Sequence, residues 1–265
     1  MKAAAERHRP RKQFGQHFLI AEDVIDQILA LVSPCAGETI IEIGPGQGAL
    51  TDRLAESGAR IVAVEIDTDL VSRLQARYED NPLVKIVSAD VLKVDLGALT
   101  DRKKAVKLVG NLPYNISTPL LLKLVDTELL WHSITVMVQA EVGERLAAFP
   151  GSKAYGRLSV MAQLGSEIFH RFPVTPSAFR PPPKVQSAVL QLYPLAREIS
   201  RDQRRSFEQI VLRAFNQRRK TLANALRSLF SAAELSEAAI DPTQRAENIS
   251  IDEYLTLAQR LSERS

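Results

Sequence analysis

Apolar residues follow two alternating rhythms along the first half of the chain. Over residues 21–32, Val24, Ile28 and Leu31 fall at helical spacing, flanked by Ile25, Leu29 and Val32, and the pattern stops before Ser33-Pro34. Thr39–Ile43 is a short β-branched run ending at the turn Gly44-Pro45-Gly46-Gln47-Gly48. Helical patterns at Ala49–Ser57 and Asp67–Tyr78 alternate with strand patterns at Arg60–Glu65, Val84–Ser88 and Ala105–Val109. Ser117-Thr118-Pro119 gives the apolar helix Leu120–Val125 a cap and a first-turn proline. A fifth strand, Ser133–Val138, precedes a helix from Ala140 to Ala148. This alternation predicts an α/β fold with a mostly parallel sheet covered on both faces.

Beyond residue 150 the pattern changes. Phe169–Pro173 and Gln186–Tyr193 read as strands on either side of Phe179-Arg180-Pro181-Pro182-Pro183. Three prolines exclude helix interior and central strand, so this segment is expected to be a stiff connection presenting Phe179. The two strands would add an antiparallel edge to the sheet. From Arg201 onward only helices are expected, at 204–215, 218–230, 234–239 and 251–262, with a break at Asp241-Pro242. The predicted division is a basic arm over 1–20, a ligand-binding domain over 21–196 and a helical domain over 197–265.

The net charge of +3 hides its distribution. Residues 1–13 carry five Lys/Arg against one Glu, and residues 197–220 carry eight against three acids. The remaining two segments, 14–196 and 221–265, each sum to −3. Two cationic segments on a mildly acidic molecule suit a phosphate backbone, although solvated helix surface has the same composition. One cysteine, Cys35, excludes an internal disulfide framework, and four scattered histidines give no reason to expect a metal. No apolar run reaches the ~20 residues of a membrane span, and the charged start lacks the apolar stretch of a signal peptide. A soluble cytoplasmic protein is expected, with an organellar targeting arm left open; the absence of a coiled coil or interface stripe suggests a monomer.

Candidate chemistry gathers where the strands end. Glu42, Gly44, Glu65, Asp90 and Asn111 all fall at or just beyond strand termini, the rim where ligands bind in such sheets. Gly44, Gly46 and Gly48 allow a tight turn and close approach of a ligand. Ala49 stands where a dinucleotide fold would place its third glycine, so spacing alone leaves a dinucleotide open. Glu65 could hold ribose hydroxyls, Asp90 an adenine amino group, the Val91 amide a ring nitrogen, and Ile66 a ring face. This set outlines an adenosyl group without needing a phosphate site.

Asn111-Leu112-Pro113-Tyr114 then suggests the reaction. An exocyclic base amine is a weak nucleophile because its lone pair is delocalised. The Asn111 side-chain oxygen and the Leu112 carbonyl can accept its two protons, while Pro113 restricts Leu112 to extended geometry. Tyr114 offers a ring for a flipped base and Phe179 is the candidate for its opposite face.

These residues carry a resemblance. The segments Arg11-Lys12-Gln13-Phe14-Gly15-Gln16-His17-Phe18-Leu19, Glu42-Ile43-Gly44-Pro45-Gly46, Asn111–Tyr114, Tyr155–Val160, Phe179–Val185 and Arg218-Arg219-Lys220-Thr221-Leu222 are similar to those of the S-adenosylmethionine-dependent ribosomal RNA adenine dimethyltransferases, and most resemble the bacterial small-subunit enzymes. The resemblance spans nearly the whole chain. It implies a seven-stranded Rossmann-like class I methyltransferase sheet with a small C-terminal helical domain. It also implies that Gln16 and His17 border the methionine end of S-adenosylmethionine, with Leu19 among the cofactor-binding residues. Asn111, Leu112, Tyr114 and Phe179 would receive the target base. The implied substrate is a pair of adjacent adenosines in the 3′-terminal hairpin of 16S rRNA, within a pre-30S particle. His17 stands where the family often has Asn, and Ala140 where relatives often have Lys. The competing expectations are a large-subunit (23S) rRNA adenine methyltransferase and an assembly factor that binds RNA without needing turnover.

Overall fold

The computed structural model describes residues 10–11, 15–125 and 129–264; residues 1–9 of the basic arm and Lys12, Gln13 and Phe14 of the opening motif lie outside them. Two compact units divide the chain, one from residues 1–143 and 168–194, the other from 144–167 and 195–265.

The first unit begins with β1 (Phe18–Leu19), α1 (Glu22–Val32) and β2 (Thr39–Ile43), continuing through α2 (Ala49–Ala55), β3 (Arg60–Glu65), α3 (Thr68–Arg77) and β4 (Val84–Ser88). β5 (Val106–Asn111), α4 (Ser117–Val125) and β6 (Trp131–Gln139) follow, then α5 (Ala140–Leu146). After α6 (Arg157–Gln163) the chain forms β7 (Ser166–Val174), β8 (Phe179–Arg180) and β9 (Ser187–Pro194). Seven strands form one sheet in the order β4-β3-β2-β5-β6-β9-β7. The pairs β2·β3, β3·β4, β2·β5 and β5·β6 are parallel, and β9 runs antiparallel to β6.

Ile40, Ile41, Ile61, Val62, Leu108 and Val136 are at most 1% exposed, as expected for strands covered on both faces. After β4 the chain crosses to the far side of β2, making the β2/β5 junction the point where strand order reverses. That reversal opens a crevice at the strands' carboxyl ends. Gly110 lets the two strands meet closely there: a Cβ on it would lie 2.6 Å from the Ile43 carbonyl oxygen.

β1 and β8 form a separate two-stranded sheet, pairing Phe18 with Arg180 and Leu19 with Phe179. Sequence periodicity did not predict either strand, because two residues carry no period. Their pairing draws the Phe179 ring inward.

The second unit is helical, with α6 joined by α7 (Arg201–Asn216), α8 (Leu222–Leu226), α9 (Ala232–Glu237) and α10 (Ile251–Ser262). Ser200, Ser231 and Ser250 cap α7, α9 and α10, and Glu234 and Glu253 complete reciprocal capping boxes at the last two. Tyr155, Phe207, Phe230 and Tyr254 belong to its apolar core.

Residues 144–167 group with this unit, although the sequence reading gave all of 21–196 to the ligand-binding domain. Tyr155 explains the difference: it is fully buried and its hydroxyl donates to the Ile249 carbonyl at 3.0 Å. The helix expected over 218–230 begins only at Leu222. There Thr221 bridges Arg245, and the Leu222 N–H donates to the Gln244 carbonyl at 2.6 Å, committing the preceding residues to a turn.

Candidate active site

The glycine turn after β2 has the left-handed backbone that its composition anticipates, with φ of 67° at Gly44, 60° at Gly46 and 91° at Gly48. A Cβ on Gly46 would lie 3.0 Å from the Phe18 ring, and one on Gly44 would lie 3.9 Å from the Asn111 carbonyl oxygen. The turn and the end of β5 therefore border the same space. A cavity of about 290 Å³ occupies it, lined by Gln16, His17, Leu19, Gly44, Gly46, Glu65, Ile66, Asp90, Asn111, Leu112 and Tyr114, and also by Glu42 and Leu92.

Two predicted residues lie elsewhere. Val91 does not line the cavity; it is buried, and its carbonyl accepts from Lys123 Nζ at 2.9 Å. Leu92 takes the lining position. Phe179 was expected to cover a base, but it is 3% exposed and packs in an apolar cluster with Leu19, Val174 and Ala178. It is not among the residues that line the cavity.

Glu65 is held from three sides. Its Oε2 accepts from the Gly46 N–H at 3.1 Å, and its Oε1 accepts from those of Ile66 and Asp67 at 2.9 and 3.0 Å. Burial raises its pKa against these backbone donors, and the nearby Asp67 adds to the rise. Ile66 remains 46% exposed at the mouth, an apolar face available to a flat ligand. Asp90 Oδ1 accepts from the Leu92 N–H at 2.9 Å, and Lys93 Nζ lies 3.5 Å from its Oδ2.

The reacting end is oriented just as closely. Asn111 donates its side-chain N–H to the His17 carbonyl at 2.8 Å. A carbonyl can only accept, so this contact identifies the amide nitrogen and turns Oδ1 the other way. The Leu112 N–H is bound to the Met137 carbonyl at 3.0 Å. Tyr114 shares a 2.6 Å hydrogen bond with Ser187 Oγ, and burial raises its phenol pKa, so it stays neutral. One face of its ring stacks on His17, with centroids 5.7 Å apart at 26°. His17 Nδ1 in turn donates to the Pro181 carbonyl at 2.8 Å.

Several participants had no assigned role from sequence. Glu42 was noted on the rim; it is 1% exposed and accepts from Thr51 Oγ1 at 2.6 Å. Burial pushes its pKa up to about 8, despite the Thr51 hydrogen bond. Its only sequence signal was an acid inside an otherwise apolar strand. Asp67 is fully buried and receives Gln16 Nε2 at 2.8 Å and the Arg11 guanidinium at 3.1 Å, tying the N-terminal segment to the β3–α3 loop.

The cavity's charge tests the expected cofactor. Glu42, Glu65 and Asp90 line it, and no Lys or Arg does so among the described residues. A pyrophosphate would meet carboxylates without a cation to offset it. A ligand with a ribose diol, an adenine ring and a positively charged sulfur fits this set. Among the described residues, no group of three or more His, Cys, Asp or Glu could hold a metal, and no helix is long and apolar enough to cross a membrane.

A seven-stranded sheet with this reversal point, bearing a cation-free adenosyl cavity beside Asn111, defines a class I S-adenosylmethionine-dependent methyltransferase. The family profile described as "Ribosomal RNA adenine dimethylase" matches residues 7–263, and the chain belongs to that family. It is 43% identical over 258 residues to "Ribosomal RNA small subunit methyltransferase A" of Pseudomonas aeruginosa, covering 97% of this chain and 96% of that one. It is 45% identical over 256 residues to the protein of the same name from Nitrosococcus oceani, covering 95% and 96%. A dimethyladenosine transferase from Plasmodium falciparum shares the fold with a TM-score of 0.81 at 23% identity, over 94% of this chain and 98% of that one. A 23S rRNA methyltransferase does so with a TM-score of 0.74 at 23% identity, over 92% and 99%.

Proposed function

We propose that the chain transfers methyl groups from S-adenosylmethionine to the N6 amines of two adjacent adenosines in the 3′-terminal hairpin of 16S rRNA. The products are N6,N6-dimethyladenosines, formed late in small-subunit assembly. The observation that carries this reading is the Asn111 amide, whose N–H is bound by the His17 carbonyl while the residue lines the same cavity as Glu65, which leaves its oxygen to act as the acceptor. The small-subunit assignment draws support from relatives that match nearly end to end. The likeness to a 23S enzyme is one of fold alone. The reading extends to action as a monomer in the cytoplasm, on a pre-30S particle.

When bound, S-adenosylmethionine supplies an electrophilic methyl group on a cationic sulfur. Glu65 would take the ribose hydroxyls on the lone pairs that its three backbone donors leave free, Asp90 would accept from the adenine amine, and Ile66 would cover a ring face. Asn111 Oδ1 and the Leu112 carbonyl would accept hydrogen bonds from the target amine's two N–H groups, turning its lone pair out of conjugation and along the transfer axis, and each transfer releases one N–H proton to solvent. Tyr114 offers its remaining face to the base. The second transfer has one fewer N–H to hold, so one of these acceptors suffices for the monomethylated amine. Neutral Tyr114 and Glu42 add no competing charge where the sulfur's charge is quenched.

The decisive experiment supplies labelled S-adenosylmethionine to small- and large-subunit precursors separately and maps the methylated nucleotides. Label on two neighbouring adenosines of 16S rRNA is expected. Label confined to large-subunit RNA would overturn the substrate assignment, and no transfer to either would favour an assembly factor that acts by binding.

A further inference from the structure

Phe149 is 71% exposed, more than any other large apolar side chain among the described residues. It stands at the tip of a turn in the second unit that is tied down on all sides. The Ser152 N–H and hydroxyl both donate to the Phe149 carbonyl, at 3.1 and 2.7 Å. The Gly151 N–H donates to the Glu247 carbonyl at 2.7 Å, and Gln163 Nε2 to the Ala148 carbonyl at 2.8 Å. The backbone therefore holds an aromatic ring in water, where an apolar side chain gains nothing from folding.

Cations predominate beside this turn, with Glu247 the acid that pairs with Arg218. A cavity lined by Arg145, Lys153, Arg157 and Arg218 adjoins the turn, and no carboxylate lines it. Arg145 and Lys153 flank the ring in sequence, and the Ala148 N–H donates to the Arg145 carbonyl. Arg218 also bonds Glu247 and the carbonyls of Lys153 and Tyr155, so it braces this wall. A rigid aromatic beside cations matches the chemistry of single-stranded RNA: phosphates on the charges, a base on the ring.

We infer that Phe149 is a stacking site for an unpaired base of the RNA substrate, separate from the methyl-transfer cavity, with Lys153 and Arg157 holding the adjoining phosphates. The inference rests on the proposed RNA substrate and adds a contact that would anchor the particle through successive transfers.

The test measures binding of the intact chain to single-stranded oligoadenylate, without cofactor, across a salt series. Phe149→Ala is expected to weaken binding about tenfold with the salt slope unchanged, and Phe149→Tyr to restore it, because stacking is not an ion-release effect. Lys153→Ala with Arg157→Ala should instead flatten the slope. In Phe149→Trp, indole emission should fall as oligoadenylate is added, against the background of the buried Trp131. Parent-like binding by Phe149→Ala overturns the site. So does weaker particle binding with unchanged oligoadenylate binding, which would assign the ring to a ribosomal protein, or loss of self-association alone, which would assign it to a second copy. Methyl transfer to 16S rRNA by the parent, run alongside, separates failure of this site from failure of the proposed function.

Discussion

Two cavities of this chain have opposite electrostatic characters. The one in the first unit is lined by Glu65 and Asp90, with Glu42 held protonated by burial, and by no Lys or Arg among the described residues. The one in the second unit is lined by four cationic side chains and no carboxylate. A net charge of +3 for the whole chain conceals both. The first suits a small cationic donor bound one molecule at a time, and the second suits a polyanion held through several chemical cycles. Under the proposed function, catalysis and grip would fall to separate pieces of the molecule, which makes them separable by mutation.

The sharpest separation comes from Asn111→Ala. Removing the oriented acceptor should reduce methyl transfer about 10²–10³-fold, comparable to loss of one preorganised hydrogen-bonding group at a reacting centre. Binding of S-adenosylmethionine and of pre-30S particles should be retained. Single-turnover rates with purified particles check this, and normal turnover would remove Asn111 from the reaction.

The next effect concerns the buried proton of Glu42 in that first cavity. Between its unfolded value near 4.5 and its folded value of about 8, Glu42 holds a proton that the unfolded chain has released. Folding stability should therefore fall as pH rises through that window and level off above it. Glu42→Gln keeps an acceptor for Thr51 and abolishes the titration, so it should gain on the order of 2–4 kcal/mol relative to the parent by pH 8. Denaturant melts at pH 5 and pH 8 read the difference directly. An identical pH dependence in both proteins would mean Glu42 is charged when folded.

The smallest effects divide a motif that looks uniform in sequence. Arg218 is committed to Glu247 and two backbone carbonyls, whereas Arg219 and Lys220 are exposed. Arg218→Ala should cost stability, about 1 kcal/mol after allowing for its 43% exposed side chain. Replacing Arg219 and Lys220 together should leave thermal stability unchanged while lowering the salt slope of particle binding by about 1–2. A reversed pattern would return Arg218 to the RNA-facing surface.

Legibility in the sequence followed the reach of the forces involved. β2, β3 and β4 occupy the predicted spans because each is a β-branched run closed by a local turn signal. Gly44, Gly46, Glu65, Asp90 and Asn111 share a rim because each ends or closely follows a strand, and strand ends can be read locally. The burial of Phe179 was not legible because it depends on pairing with Leu19, 160 positions earlier, through strands too short to leave a pattern. The affiliation of residues 144–167 was equally hidden, since it depends on contacts such as Tyr155 with Ile249. Asp67 entered the sequence reading only as the first residue of a helical span; it caps α3, and the incoming Gln16 and Arg11 are visible only in three dimensions.

Gly110 sets the spacing of two strands. With a single hydrogen facing the Ile43 carbonyl, it lets β2, which leads into the glycine turn, and β5, which ends at Asn111, run side by side without a bulge. Even one methyl group there would wedge these strands apart at the mouth of the cavity. Under the proposed chemistry, the length of the methyl's journey would be set by the residue with no side chain.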